Sequence, residues 1–339
     1  MRGHLRIIGL FAAALLLLSG CAKQAEKPLA RTVFAMDTVM NLSVYGGSEN
    51  DLDAAEKEIR RLDGALARAR EGSEVYMLNQ EGRVQSADVC RLAALTEQIA
   101  DATEGAFDVT VAPVLQLWGF GENTELRRVP SASAIEEALG HVGHQSLRVE
   151  DGGTAAVLSL PAQVDFGGVA KGYTAAALCK ALENTRGAVL DLGGDVALYG
   201  AKPDGSPWRV AVKDPADESG FLGTWESEGG VFVMTSGVYE RYFESNGVRY
   251  HHIIDPRTGY PAQSGLVSVT VVCADGVWAD ALATAVCVLG AEKGLALRRQ
   301  LAGTLPFELI LVTKDGCVQY TSERFTPQAG SGYAYEKLA

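Results

Sequence analysis

Asp165-Phe-Gly-Gly-Val-Ala-Lys171-Gly172 leaves an apolar run and enters a helical one. Its glycines let backbone approach a ligand closely, and free N–H groups at a helix start favour phosphate. Lys171 adds a point charge there. The same residues equally make a strand-to-helix turn with glycine for tight packing. Asp280 and Thr284 stand at i and i+4 and so share one helix face. A carboxylate and a hydroxyl so placed suit a hard cation such as Mg²⁺, which takes oxygen ligands and keeps some water. They also suit an Asp favoured by the helix dipole and a Thr bonding back to a carbonyl. His251-His252-Ile-Ile-Asp255-Pro-Arg-Thr-Gly259 runs from a strand into a turn and carries two of the chain's five histidines. Histidine exchanges a proton near neutral pH, and alternation along a strand lets one ring at most enter a site. Asp191-Leu-Gly-Gly-Asp195 ends another strand, where paired glycines turn the chain or wall a ligand. Phe34-Ala-Met36-Asp37-Thr38 and Gly105-Ala-Phe107-Asp108-Val-Thr110 read, taken alone, as core and turn.

The elements that must position these residues follow from periodicity. A first strand is expected over 38–45, and helices over 51–70 and 87–103. Pro130 and Ser133-x-x-Glu136 predict a capping-box start to a short helix ending at Gly140. Strand-like runs follow at 146–149, 156–160 and 164–166, then a helix over 169–182. Short apolar strands are expected at 188–192, 196–199, 208–212, 232–235, 248–254 and 266–273. Helices over 277–289 and 293–301 precede a hairpin, 307–313 with 317–320, around Lys314-Asp315-Gly316. Clustered strands without strict alternation point to an α+β fold with flanking helices, not a doubly wound sheet.

The chain has 339 residues, 30 Lys+Arg against 42 Asp+Glu, and a net charge of −12. That acidity argues against a nucleic-acid face and against a polybasic membrane patch. No G-x-G-x-x-G, P-loop, G-x-S-x-G elbow or H-E-x-x-H occurs. After Cys21, five cysteines remain, with no C-x-x-C pair among them, so neither a disulfide framework nor a zinc site is indicated. Arg2 and Arg6, an apolar stretch from Ile7 to Leu18 and Ser19-Gly20 read as a secretory signal. Leu18-Ser-Gly-Cys21 resembles the bacterial lipobox, in which cleavage leaves cysteine first and a lipid joins its sulfur. Buried lipid methylenes anchor at about 0.8 kcal/mol each. The expected organisation is a signal peptide over 1–20, a lipidated tether over 21–31, one catalytic domain over 32–326 and a loose polar tail over 327–339.

In this order, from about Thr32 to about Gly290, the segments resemble the ApbE family, the FAD:protein FMN transferases. The resemblance rests on Met36-Asp-Thr38, Gly105 to Thr110, Asp165 to Gly172, Asp191 to Asp195, His252 to Gly259 and Ala279-Asp-Ala-Leu-Ala-Thr-Ala285. It implies a T-fold-like α+β domain that moves FMN from FAD, its substrate, onto a Ser or Thr hydroxyl of another protein and releases AMP. It places Met36, Tyr76, Ala106, Phe107, Asp108, Asp165, Lys171 and Ile254 against FAD. Gly168 (through its carbonyl), Asp280 and Thr284 fall at the family's Mg²⁺ ligands, and His252 at its catalytic histidine. Some members carry a further Asp where this chain has Ala283, which leaves more of the metal shell to water, backbone and pyrophosphate.

Implied acceptors are membrane redox-pump subunits or other extracytoplasmic flavoproteins bearing a flavinylation motif. That motif is absent here, so self-modification is not expected. The implied setting is export and lipid anchoring to a bacterial membrane, facing the periplasm or the exterior. Two alternatives share the motifs: hydrolysis of FAD to FMN and AMP, with water as acceptor, and a lipoprotein that binds flavin without turnover.

Overall fold

The computed structural model describes residues 26–121, 125 and 127–339. The signal-like segment and residues 21–25 of the expected tether, Cys21 among them, lie outside the described residues. Seventeen strands are present among the described residues. In chain order they are β1 (Leu29–Ala35), β2 (Thr38–Tyr45), β3 (Arg83–Val84), β4 (Leu147–Glu150), β5 (Ala155–Leu158), β6 (Gly187–Leu192), β7 (Val196–Gly200), β8 (Trp208–Lys213), β9 (Phe221–Ser227), β10 (Val231–Gly237), β11 (Tyr242–Ser245), β12 (Val248–His251), β13 (Leu266–Cys273), β14 (Phe307–Thr313), β15 (Cys317–Tyr320), β16 (Phe325–Pro327) and β17 (Ala334–Lys337). The helices are α1 (Glu49–Leu66), α2 (Glu74–Glu81), α3 (Ala87–Ala102), α4 (Ala112–Leu117), α5 (Ala132–Leu139), α6 (Ala170–Ala181), α7 (Gly276–Leu289) and α8 (Ala291–Leu301).

A nine-stranded sheet in the order β1-β2-β6-β7-β10-β13-β14-β15-β17 forms the frame. Its pairs are antiparallel except β15 with β17. Period-two alternation sends Met40, Leu42 and Val44 of β2 to the helical side, where α1, α6 and α7 cover them. The opposite face packs Leu198, Val233, Val272 and Ile310 against the small sheet β16-β9-β8, with Trp225 between. The architecture is therefore the α+β arrangement the clustered strands predict. A second core under α2 and α3 joins the first at α7, which gives Ala279, Leu282 and Val286 to one and Val277, Ala281 and Ala285 to the other. Apolar on nearly every face, α7 is a central helix. Asp275 starts it by accepting the N–H groups of Val277 and Trp278 at 2.9 and 3.1 Å.

Several expectations are corrected. Residues 29–31 of the expected tether already belong to β1, whose Val33 and Ala35 are buried. The run 164–166 is not a strand: the Asn79 side-chain amide takes both the N–H and the C=O of Val164, at 2.7 and 3.0 Å, in place of a strand partner. Ser131, not Ser133, caps α5, accepting from the Ala134 N–H at 3.2 Å. Strand β12 stops at His251, short of Ile254. The tail expected to be loose over 327–339 instead carries β17, parallel to β15. Tyr335 donates to the Leu222 carbonyl and Tyr333 to Asp214, both at 2.7 Å, so two amphipathic rings tie the tail down. Strands β9 and β11 and helices α2 and α4 escaped the periodicity. All five described cysteines are free thiols.

Helices α6 and α7 touch at backbone level. A Cβ on Gly172 would stand 2.0 Å from the Gly276 carbonyl oxygen, and one on Gly276 2.5 Å from that of Gly172. Gly172→Ala must push the helices apart, so it is expected to lower stability by at least the ~1–3 kcal/mol usual for overpacking. Gly303→Ala, where a Cβ meets nothing within 4 Å, is expected to stay within about 0.5 kcal/mol. Urea denaturation of the two variants checks the difference.

Candidate active site

The close approach of α6 and α7 sets the site. Because Gly172 has no side chain, its N–H reaches the Asp280 carboxylate at 2.9 Å. Asp280 is 5% exposed. Burial first, then the Asp195 charge, pushes its carboxyl up, against Lys171 and the Gly172 N–H. Lys171, in the first turn of α6, pairs with Asp195. Burial alone would lower its ammonium, but Asp195, Asp280 and Glu240 together raise it, so it stays charged.

One turn before Gly172, Gly168 lies beside Phe107 and Thr284. A Cβ there would stand 3.0 Å from the Phe107 ring and 3.8 Å from the Thr284 Oγ1. Thr284 Oγ1 and Ser236 Oγ are 3.0 Å apart. The three expected cation ligands thus gather around the α6–α7 crossing. Three carboxylates act on one ammonium in this region, so its oxygen-rich, net-negative character fits a hard cation. Among the described residues no group of three or more His, Cys, Asp or Glu could hold a metal by itself.

Met36 reaches the same helix from the sheet. It and Asp37 form a two-residue hairpin turn between Ala35 and Thr38, with φ of 50° and 57°. Left-handed backbone costs a non-glycine residue about 1–2 kcal/mol. Asp63 secures the turn by accepting the Met36 N–H at 2.8 Å, and Thr174 of α6 donates to the Met36 sulfur at 3.6 Å. Two other expected residues shape loops. Asp165 accepts from the Gly167 N–H at 2.7 Å and pairs with Arg68 at 3.3 Å. Asp108 accepts from the Thr110 N–H and hydroxyl at 2.8 and 2.6 Å. Ala106 is buried, and Tyr76 sits half-buried on α2.

The two histidines take separate partners, His252 lying just past the end of β12. His251 turns inward, its Nε2 donating to the Ala262 carbonyl at 3.0 Å. His252 is partly exposed, with Phe120 edge-on to its ring at 6.4 Å. Its Nδ1 lies 3.2 Å from the Arg241 carbonyl, which can only accept, so Nδ1 carries the proton and Nε2 keeps its lone pair. Burial, then Arg241, pushes the ring from 6.5 down to about 3, and Lys171 adds in the same direction. Ile254 packs with Trp118, Phe120 and Ile135 beneath this edge.

Asp195, Ser236 and Asp63 were not singled out as site residues from sequence. Only Asp195 had a signal, the paired glycines before it.

The lowered His252 has a measurable consequence. Its folded value lies below the ordinary 6.5, so between the two the unfolded chain binds more protons. The stability it contributes is complete above about pH 6.5 and declines as pH falls toward 3. Nitrogen NMR of the ring is expected to show no protonation from pH 8 to 5; a midpoint near 6.5 would contradict the geometry.

The family model described as the ApbE family matches residues 36–307. A relative from Vibrio cholerae, named FAD:protein FMN transferase, is 32% identical over 93% of this chain and 96% of its own length. One of the same name from Haemophilus influenzae is 31% identical over 94% and 96%. The crystal structure of the ApbE protein from Thermotoga maritima superposes with a TM-score of 0.79 at 33% identity, covering 86% of this chain and 96% of that one. The flavin transferase ApbE from Vibrio cholerae gives 0.74 at 28%, covering 91% and 98%. The α+β, T-fold-like architecture is common to them, and this chain is an enzyme of the ApbE family.

Proposed function

We propose that this chain is a Mg²⁺-dependent FAD:protein FMN transferase, acting on a Ser or Thr hydroxyl of an extracytoplasmic acceptor and releasing AMP. The observation that carries the reading is the gathering of Lys171, Gly168, Asp280 and Thr284 at one helix crossing, in a chain alike over nine-tenths of its length to a protein named for that reaction.

In this reading Met36, Tyr76 and Phe107 wall the flavin end, with Ala106, Asp108, Asp165 and Ile254 shaping the slot. Lys171, in the first turn of α6, faces the pyrophosphate. Asp280, Thr284 and the Gly168 carbonyl are the residues that would hold Mg²⁺. When bound, that ion supplies charge neutralisation at the bridging and leaving oxygens. The acceptor oxygen bonds to the FMN phosphorus as the bond from that phosphorus to the AMP oxygen breaks. His252 Nε2, kept unprotonated by the Nδ1 bond, takes the hydroxyl proton.

Among the described residues no helix is long and apolar enough to cross a membrane. Export over 1–20, lipidation at Cys21 and a short tether to a domain whose first strand begins at Leu29 complete the proposal. The acceptors it implies are membrane redox-pump subunits or other extracytoplasmic electron carriers.

Mass spectrometry of a candidate acceptor domain, incubated with this protein, FAD and Mg²⁺, tests it. A mass gain equal to FMN minus water is expected, abolished by EDTA and by Asp280→Ala. Free FMN and AMP without acceptor modification would replace transfer by hydrolysis. Intact FAD that binds without turnover would leave a flavin-binding lipoprotein.

A further inference from the structure

We propose that Asp195 is a positioning residue that holds the Lys171 ammonium at the phosphate end of the substrate site; this rests on reading Lys171 as a substrate contact.

Asp195 is 1% exposed, and a buried carboxylate is tolerated only where its oxygens are engaged. Oδ1 accepts the Thr235 N–H at 2.7 Å, and Oδ2 pairs with Lys171. Thr235 lies on β10, in the middle of the large sheet, and its neighbour Ser236 touches Thr284. One strand therefore fixes the carboxylate and a candidate cation ligand together. The loop bearing Asp195 is fixed too. Gly193 and Gly194 take φ of 75° and 98°, and the Gly194 N–H donates to Asp191 at 2.7 Å. A Cβ on Gly193 would stand 2.0 Å from the Thr38 hydroxyl, so this loop lies directly against the Met36 turn.

Lysine has a flexible stem and three donors, and it follows the nearest fixed negative charge. Three carboxylates act on Lys171, those of Asp195, Asp280 and, least, Glu240. Asp195, anchored to the sheet, draws the ammonium away from Asp280. Without it, Lys171 would collapse onto Asp280, which removes a cation from the phosphate and occupies the carboxylate meant for a metal. Asp195 thus keeps both groups available to substrate, although it faces none itself.

Fluorescence titration of the full chain with FAD and with riboflavin, which lacks phosphate, separates this role from a merely structural one. Asp195→Asn keeps the shape and the Thr235 bond but drops the charge. FAD binding is expected to weaken about 10- to 100-fold, the loss usual when a residue orienting a ligand group is removed. Riboflavin binding is expected to stay unchanged. In a Lys171→Met background, Asp195→Asn is expected to add nothing further. If Asp195→Asn melts early, Asp195→Glu, which keeps the charge, is expected to recover FAD binding. The inference is overturned by wild-type FAD binding in Asp195→Asn, by equal losses for FAD and riboflavin, by an undiminished loss in the Lys171→Met background, or by Asp195→Glu failing with Asp195→Asn. Unaltered FAD binding in Lys171→Met would also overturn it, while the Asp280→Ala transfer assay would still report on the transferase reading separately.

Discussion

The contact on which the site depends is between two glycines. Gly172 and Gly276 bring α6 and α7 together with backbone against backbone, and any larger residue at either position meets a carbonyl oxygen. That proximity lets a helix N–H bond to the carboxylate of the neighbouring helix. It also stacks the first turn of α6, with Lys171, over the face of α7 that carries Asp280 and Thr284. Ordinary side chains would hold the helices 8–10 Å apart, too far for a main-chain donor to serve a carboxylate on the other helix. Packing and chemistry therefore share one cause, the absence of a side chain.

A second consequence is electrostatic. The crossing buries Asp195 and Asp280 near a single ammonium, and their mutual repulsion is part of why the Asp280 carboxyl is raised. A buried excess of negative charge opposes folding unless neutralised by a proton or a cation. The surrounding structure is correspondingly rigid: α7 is buried on nearly every face, and both cores close on it. The Met36 turn holds its left-handed backbone under the same confinement, with Asp63 and Thr174 gripping it from α1 and α6. Strain and charge excess at one place, each supported from outside, are the marks of a site arranged for a ligand.

How much of this was legible in the sequence depended on whether the determining interaction was local. Helix α7 could be read because Asp275 caps it and Gly290 ends it, both short-range signals. Strand β2 could be read because Met40, Leu42 and Val44 alternate. Val164 looked like strand because it is apolar, but its backbone partner is an asparagine 85 residues away, and the Phe166 carbonyl turns instead to the N–H groups of Val169 and Ala170. The tail looked loose because its polar residues hide two tyrosines whose acceptors, Asp214 and Leu222, are more than 110 residues distant. At the site, the motifs announced Lys171, Asp280 and Thr284, while Ser236 and Asp63 carried no signal, since only the fold brings them there.

His252 raises the remaining chemical question, how a ring so hard to protonate could serve as a base. Its low proton affinity arises from burial, Arg241 and Lys171, all of which disfavour a cation in an empty pocket. In the reading proposed above, a bound pyrophosphate opposes the charge part of this balance. It would bring negative charge beside Lys171, so that cation would no longer act on the ring alone, and a protonated imidazole would gain an anion to face. The Nδ1 bond to the Arg241 carbonyl is compatible with both ring states, because the carbonyl accepts from either. The tautomer is therefore fixed before the substrate arrives, and only the affinity of Nε2 for a proton changes. In that reading the base strengthens as the phosphates come into place, which would tie proton removal from the acceptor to the presence of the group it receives.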